Sequence, residues 1–186
     1  MQKIILASQS PRRKQLLQWA EVDFEVMVSD TDETFPEGLS FEEAAIFIAR
    51  NKALAVAARH TTSLCILAAD TIVVCGNTII GKPKNREEAI NFLGRLSGNI
   101  HQVITGVVIK KGEKEIAFAD TTAVSFHNLS QEQIVFYVDK YEPYDKAGAY
   151  AIQEWIGVVG IKSIEGDFYN VMGLPVSRVV QELEKI

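Results

Sequence analysis

Cysteine and long apolar runs are both scarce in this chain, and their scarcity excludes several classes of protein. The two cysteines, Cys65 and Cys75, lie in apolar runs and form no CxxC pair, so we expect free thiols rather than a disulfide scaffold. The longest uncharged apolar run extends only from Trp155 to Ile161, whereas a membrane-spanning helix needs roughly 20 residues. The opening segment passes directly into polar and basic residues, unlike a signal peptide. These features predict a cytoplasmic protein without a membrane partner.

An excess of positive charge is also missing. The 186 residues include 19 Lys and Arg against 24 Asp and Glu, which gives a net charge of −5. No basic stripe with interleaved aromatic residues is present, so we expect no nucleic-acid partner. The hydrophobic fraction of 47% is typical of a globular protein, and a chain of this length buries roughly 70% of its unfolded surface. We predict one α/β domain over residues 1–186.

The hydrophobic pattern predicts strands that alternate with helices. Polar N-cap residues mark the beginnings of the first four helices, with a capping box at Ser40–Glu43, and the last helix begins near Pro175. An apolar strand is expected to stop at Asp70, and a two-residue turn at Gly76–Asn77 predicts a hairpin. The predicted strands cover residues 3–7, 23–29, 64–69, 72–75, 78–80, 101–111, 115–126 and 158–164.

The segment Ser8–Arg13 is the most informative motif. A strand ends there, two hydroxyls follow, and a helix begins at Pro11 with Arg12 and Arg13 in its first turn. Positive charge at a helix N-terminus is unfavourable without an anion, and arginine binds phosphate in a bidentate manner. The motif therefore predicts a polyphosphate site, with a solvated basic turn as the alternative.

Carboxylates and two lysines supply further candidates. Asp70 follows an apolar strand, Glu33 closes the acidic loop that begins at Asp30, Lys52 lies within a helix, and Lys82 lies in a Gly-Lys-Pro loop. Carboxylates meet phosphates through a hard cation such as Mg²⁺, and lysines are point charges for phosphate oxygens. Taken singly, each of these residues is equally well or better explained as a turn or surface residue.

Other catalytic patterns are weak. The three histidines lack the spacing of zinc ligands, and neither Gly-x-Ser-x-Gly nor a phosphate-binding P-loop occurs. We expect His101 to be structural.

Together these residues resemble the Maf family of nucleoside triphosphate pyrophosphatases over nearly the full length. The resemblance rests on many ordered blocks, each weak alone: 8–13, 32–33, 52–53, 69–71, 81–83, 96–98 with His101, 105–107, 148–153 and 170–175. It implies a mixed sheet flanked by helices in a two-lobed body like inosine triphosphate pyrophosphatase, with the active site in the cleft. It also implies a homodimer, and hydrolysis between the α and β phosphates of a nucleoside triphosphate.

The resemblance also implies roles for individual residues. Asp70 matches the proton acceptor, and Thr71 and Gln153 match specificity positions. Phosphate-binding and other site residues are matched by Ser8, Ser10, Arg12, Arg13, Glu33, Lys52 and Lys82. A divalent cation, Mg²⁺ or Mn²⁺, is implied on Glu33 and Asp70, and which of these carboxylates acts as base stays open.

The base specificity follows from the same resemblance. The Gly-Ala-Tyr-x-Ile-Gln block that ends at Gln153 is similar to the branch acting on dTTP and UTP, and a neutral amide suits the donor and acceptor edge of uracil or thymine. The branch acting on 7-methyl-GTP has an acidic residue near this position. Trp155 departs from the small residues of many relatives and either reshapes the pocket or packs. The expected substrates are dTTP, UTP and modified pyrimidine nucleotides. The alternative functions are a non-catalytic nucleotide-binding regulator of septum formation and a pyrophosphatase that prefers 7-methyl-GTP.

Overall fold

A computed structural model describes residues 2–28, 30–60 and 62–186. The elements follow the order β1 (Ile4–Leu6), α1 (Pro11–Trp19), β2 (Phe24–Val26), α2 (Phe41–Arg59), β3 (Cys65–Cys75), β4 (Thr78–Ile80), α3 (Arg86–Leu96), β5 (Ile100–Lys111), β6 (Lys114–Phe126), α4 (Gln131–Tyr141), α5 (Trp155–Gly160), β7 (Ile161–Glu165), α6 (Phe168–Met172) and α7 (Val176–Leu183). A short 3₁₀ turn, Ala147–Ala149, precedes α5.

The strands pair in the order β2-β1-β3-β5-β6-β7, and β4 joins β3. Strand β1 is parallel to β2 and β3, whereas the β3–β4 and β6–β7 pairs are antiparallel. The predicted mixed α/β sheet is therefore confirmed, as is the hairpin at Gly76–Asn77. Ser29, which the sequence places at the end of the second strand, lies outside the described residues.

The chain divides into two compact units. Unit 1 comprises residues 1–71, 105–120 and 173–186, and unit 2 comprises residues 72–104 and 121–172. Across the described ranges, no helix combines the length and apolar character needed to cross a bilayer. Both cysteines are free, with Cys65 buried and Cys75 partly exposed.

The core of unit 1 lies between α2 and the strands of that unit. Small alanines on α2 face buried aliphatic residues of the sheet, in a cluster of Ile5, Ala7, Ala49, Ala53, Val56, Ile66, Ala68 and Val108. At Gly106 on β5 the backbone of α2 comes so close that a built Cβ would lie 2.3 Å from the carbonyl carbon of Ala45. Glycine at this position therefore sets how closely α2 approaches the sheet, because a methyl group would push the helix away.

Two predicted strand boundaries are wrong. Strand β3 does not stop at Asp70 but continues without interruption to Cys75. Asp70 is buried and Thr71 is partly buried in this strand, and both side chains have hydrogen-bond partners (described below), as buried polar groups require.

The predicted strand over residues 158–164 begins instead with a helical turn. Helix α5 covers Trp155–Gly160, and only Ile161–Glu165 is extended. Glu154 starts this turn, since its carbonyl accepts hydrogen bonds from the N–H groups of Gly157 at 2.9 Å and Val158 at 3.4 Å. Local hydrogen bonding therefore overrides the strand preference of the valines, and Val158 is 81% exposed.

Candidate active site

A buried arginine organises the first part of the site. Arg13 lies in the first turn of α1, is only 8% exposed, and donates three hydrogen bonds through its guanidinium. Its Nε reaches the carbonyl oxygen of Gly173 at 2.7 Å, Nη1 reaches Ser8 Oγ at 3.1 Å, and Nη2 reaches Thr71 Oγ1 at 3.0 Å. One planar side chain therefore ties together the end of β1, the middle of β3 and the segment before α7, all within unit 1.

Electrostatics around Arg13 follow from its burial. Burial lowers the pKa of the Arg13 guanidinium, and the nearby charge of Asp70 opposes that shift. Arginine stays protonated in spite of this effect, because its ordinary pKa is so high. Arg13 is thus a buried cation whose donors are directed largely at protein oxygens.

The hydroxyls of the motif have local partners as well. Ser10 is the N-cap of α1, and its Oγ accepts from the N–H of Arg13 at 3.5 Å, while Ser8 Oγ accepts from the N–H of Ser10 at 3.2 Å. Pro11 occupies the first helical position, where its missing N–H costs nothing. The sequence prediction of an N-capped helix at Ser10 is confirmed, and the half-buried Arg12 lies beside Arg13 in the same turn.

A lysine between two carboxylates forms the second part of the site. Lys52 Nζ lies 2.6 Å from Asp70 Oδ1 and 2.8 Å from Glu33 Oε1. The side chains of Lys52 and Asp70 are 15% and 11% exposed, whereas that of Glu33 is 49% exposed. Three of the predicted site residues are therefore in direct contact within unit 1, with a net charge of −1 for the cluster.

The secondary structure explains how these residues meet. Lys52 follows the buried Ala49 on α2 by three positions, so it extends from the helix flank that faces β3. Asp70 lies on β3 next to Thr71, whose Oγ1 accepts from Arg13 and lies 2.9 Å from Thr105 Oγ1. Adjacent strand residues point to opposite faces, so Asp70 contacts Lys52 while Thr71 contacts the arginine.

The rest of the acidic loop is local structure. Asp32 accepts hydrogen bonds from the N–H of Thr34 at 3.0 Å and from Thr34 Oγ1 at 2.8 Å, and these bonds lower the pKa of Asp32. Asp30 is exposed. Asp32 therefore supports the loop itself, whereas Glu33 contacts Lys52.

The remaining predicted site residues, Lys82 and Gln153, belong to unit 2. Both are exposed, Lys82 in the loop after β4 and Gln153 in the turn before α5. Their segments are joined by a hydrogen bond from the N–H of Gly148 to the carbonyl of Gly81, at 3.1 Å. Gly148 has a φ of 73°, a backbone conformation that favours glycine, and this explains why a glycine stands in the sequence block that ends at Gln153.

Two neighbours of Gln153 are anchored by aromatic contacts. Trp155 packs edge-on against Phe136, with ring centroids 4.9 Å apart, which supports packing as its role. Tyr150 is buried, and its Oη lies 2.7 Å from Nε2 of the equally buried His101. Burial lowers the pKa of His101 to about 4, so the ring is neutral at pH 7, in agreement with a structural histidine.

Sequence reasoning missed two members of the site. Thr105 contributes its hydroxyl to Thr71, and Gly173 contributes the carbonyl that accepts from Arg13. Both residues stand in blocks that carry the family resemblance, but nothing in their residue types indicates a role. A main-chain carbonyl in particular leaves no trace in the side chain of its residue.

The carboxylates of the site, Glu33 and Asp70, are candidate ligands for a metal ion. Among the described residues, no group of three or more His, Cys, Asp or Glu side chains is arranged to hold a metal ion. Mg²⁺ does not need such a cage, since it commonly binds one or two carboxylates and takes its other ligands from substrate phosphates and water. Glu33 and Asp70, which converge on Lys52, fit that requirement.

Known proteins resemble this chain over nearly its whole length. The family model described as Maf-like protein matches residues 3–186. The dTTP/UTP pyrophosphatase of Cytophaga hutchinsonii is 52% identical over 183 residues, which cover 98% of this chain and 84% of that protein. The dTTP/UTP pyrophosphatase of Parabacteroides distasonis is 50% identical over 183 residues, which cover 98% and 95%.

A solved structure supports the fold. The Ham1 protein of Staphylococcus aureus matches with a TM-score of 0.52 and 20% identity, covering 97% of this chain and 100% of that chain. Since the sequence match reaches from β1 to the C-terminal residue, it includes every block that contributes to the site. The chain therefore belongs to the Maf-like protein family.

Proposed function

We propose that this protein is a nucleoside triphosphate pyrophosphatase that hydrolyses dTTP and UTP to the monophosphate and pyrophosphate. The observation that carries the proposal is the cluster of Lys52 between Asp70 and Glu33, next to a strand held by the buried Arg13. Relatives with about half of their residues identical are named dTTP/UTP pyrophosphatases. The alternatives, a non-catalytic regulator or a preference for 7-methyl-GTP, have no such support.

The reaction needs a water molecule activated in line with the α phosphorus. A new bond forms between the water oxygen and that phosphorus, and the bond to the bridging oxygen breaks, so the electron pair leaves with pyrophosphate. Asp70 accepts the proton of the water, which a carboxylate can do with a rate contribution of about 10²–10⁴-fold. Asp70 lies on the central strand β3, and its contact with Lys52 keeps the carboxylate oriented.

Cations stabilise the charge that grows on the leaving pyrophosphate. Arg12, Lys52 and Lys82 are the proposed phosphate ligands, together with the hydroxyls of Ser8 and Ser10. Arg13 differs, because three of its hydrogen bonds go to protein oxygens. Its proposed role is to hold the Ser8 loop and Thr71 in place for the substrate.

A divalent cation, Mg²⁺ or Mn²⁺, is part of the proposal. Glu33 and Asp70 would hold it, and when bound it would supply positive charge to the phosphate oxygens. Lys52 keeps these two carboxylates together and balances one of their charges, which reduces their repulsion before substrate binds.

Base recognition is proposed for Gln153. Its exposed amide can both donate and accept hydrogen bonds, as the edge of uracil or thymine requires. Thr71 stays a proposed specificity residue, although its hydroxyl is engaged by Arg13 and Thr105. We also propose that the enzyme is a homodimer and that it acts in the cytoplasm. An association with septum formation stays a prediction.

A panel of nucleotides tests the function. The protein is incubated with Mg²⁺ and dTTP, UTP, CTP, GTP or 7-methyl-GTP, and pyrophosphate and monophosphate are measured separately from inorganic phosphate. We expect dTTP and UTP to be hydrolysed fastest, with pyrophosphate as the product. Asp70→Asn should lower kcat by about 10²-fold or more, because the amide cannot accept the proton.

The control for this substitution is Asp139→Asn. It makes the same chemical change in the exposed ion pair with Arg86 and should leave kcat unchanged. Release of inorganic phosphate without pyrophosphate, or full activity of Asp70→Asn, would contradict the proposed reaction. A preference for 7-methyl-GTP would contradict only the role of Gln153.

A further inference from the structure

One buried side chain of α4 holds the backbone on both sides of Gln153. Tyr137 is fully buried, and its Oη accepts a hydrogen bond from the N–H of Ala151 at 3.2 Å. The same hydroxyl donates to the carboxylate of Glu154. Ala151 and Glu154, on either side of Gln153, therefore both bind the hydroxyl oxygen of Tyr137 on α4.

The carboxylate of Glu154 is in turn held from its other side. Its Oε1 lies 3.6 Å from Nζ of Lys146, which also contacts Asp145 at 2.8 Å. The side chain of Lys146 is 10% exposed and that of Glu154 is 22% exposed. Lys146 is therefore the cation beside Glu154, although it shares its charge with Asp145, whose side chain is 58% exposed, and it favours a carboxylate that is largely buried beside the tyrosine.

Contacts within the segment also shape the turn around Gln153. The N–H of Glu154 donates to the carbonyl of Ala151 at 3.1 Å, which closes a tight turn with Gln153 inside it. At Gly157 a built Cβ would lie only 1.7 Å from the carbonyl oxygen of Ile152, so α5 packs directly on the turn. These contacts shape the turn itself, whereas Tyr137 connects it to α4.

We propose that Tyr137 is a positioning residue for nucleotide specificity, acting through the Ala151–Glu154 turn on the amide of Gln153. The inference rests on the proposed recognition of the base by Gln153. An exposed amide distinguishes uracil and thymine from other bases only if its oxygen and nitrogen point in defined directions. The hydroxyl of Tyr137 fixes the direction of this amide because it binds the main-chain N–H of Ala151 before Gln153 and the side chain of Glu154 after it.

The test compares Tyr137→Phe with the wild type in steady-state kinetics on dTTP and GTP. The substitution removes the hydroxyl and keeps the buried ring. We expect kcat/KM for dTTP to fall about tenfold or more, mainly through a higher KM, because the base contact is lost to a displaced turn. The kcat/KM for GTP should change less than about twofold, so the preference for dTTP falls by about tenfold.

The matched control is Tyr141→Phe. Tyr141 lies one turn further along α4 and stacks on Tyr137 with ring centroids 4.9 Å apart, so it is the same change on the same helix. Its preference for dTTP should equal that of the wild type. An equal loss in both variants would overturn the inference, since it would reflect a general effect on α4.

Gln153→Ala separates the inference from the proposed function. The expected result is that Gln153→Ala lowers the preference for dTTP and that adding Tyr137→Phe lowers it little further, because both changes act through one amide. If Gln153→Ala leaves the preference unchanged, recognition by Gln153 is wrong and the inference fails with it. If Gln153→Ala lowers the preference but Tyr137→Phe does not, only the inference is overturned.

Folding is checked by circular dichroism for each variant. If Tyr137→Phe does not fold, Glu154→Ala carries the same test, because it removes the acceptor of the Tyr137 hydroxyl at a partly exposed position. The same loss of preference for dTTP is expected. An unchanged preference in folded Glu154→Ala would overturn the proposal.

Discussion

Replacing Arg13 by lysine tests whether this residue is mainly a structural cation or mainly a phosphate ligand. The guanidinium donates to the carbonyl of Gly173 and to the hydroxyls of Ser8 and Thr71, at 2.7–3.1 Å, from a position that is 8% exposed. A lysine keeps the charge, but its compact ammonium lacks the planar fork that reaches three acceptors in different directions. We therefore expect Arg13→Lys to keep about one of these hydrogen bonds.

The size of the effect follows from the two hydrogen bonds lost. At about 1–1.5 kcal/mol each, their loss lowers the free energy of unfolding by about 2–3 kcal/mol. A protein of this length loses about 2–4 °C in Tm per kcal/mol, so the Tm of Arg13→Lys should fall by about 4–12 °C. Activity should fall through kcat, because Thr71 adjoins Asp70 and loses the partner that holds it.

The assay is thermal unfolding without nucleotide, followed by steady-state kinetics on dTTP. Arg12→Lys is the matched control, since it makes the same change in the neighbouring, half-buried residue. We expect its Tm to lie within about 2 °C of the wild type, which corresponds to less than 1 kcal/mol. An unchanged Tm for Arg13→Lys, together with a raised KM, would refute the structural role and indicate a direct phosphate ligand.

Two further predictions concern stability. Burial lowers the pKa of His101 from 6.5 to about 4, so the unfolded chain binds a proton at a higher pH than the folded chain does. The contribution of neutral His101 to stability is therefore complete above about pH 6.5. It is lost as the pH falls towards 4, which lowers the free energy of unfolding by about 3 kcal/mol in total. In urea unfolding, the stability difference between the wild type and His101→Asn should shrink by that amount from pH 7 to pH 4, and a constant difference would contradict it. Gly106→Ala should lower the free energy of unfolding by about 1–3 kcal/mol, because the new methyl group meets the α2 backbone at Ala45. Gly94→Ala, on an exposed and open stretch of α3, should instead raise it by about 0.5–1 kcal/mol, and thermal unfolding that shows the same sign for both would contradict the packing argument.

Local chemistry explains why most of the elements were predictable. Ser40 and Ser130 begin their helices with capping boxes, and Asn85 accepts the N–H of Glu88, as their sequences indicate. Each cap depends on residues within one turn, so neighbouring residues contain all the information. The error at residues 158–160 has a different cause, because the valines favour a strand while the hydrogen bonds of Gly157 and Val158 to the carbonyl of Glu154 form a helical turn.

For the candidate site as well, some properties were predictable from the sequence and others were not. Composition predicted the absence of nucleic-acid and membrane partners, and the order of the blocks predicted the family, the pyrophosphatase activity and the candidate residues Asp70, Glu33 and Lys52. These predictions depend on residue types and on their order along the chain, so one sequence is enough to make them.

Only the tertiary structure decided what those residues do to each other. It placed Lys52 between two carboxylates and directed the guanidinium of Arg13 at protein oxygens, one of them the main-chain carbonyl of Gly173. It also brought the hydroxyl of Tyr137 to the turn around Gln153. Contacts between residues far apart in the chain depend on how the elements pack, and an arginine bound to phosphate and one bound to a carbonyl have the same letter in the sequence.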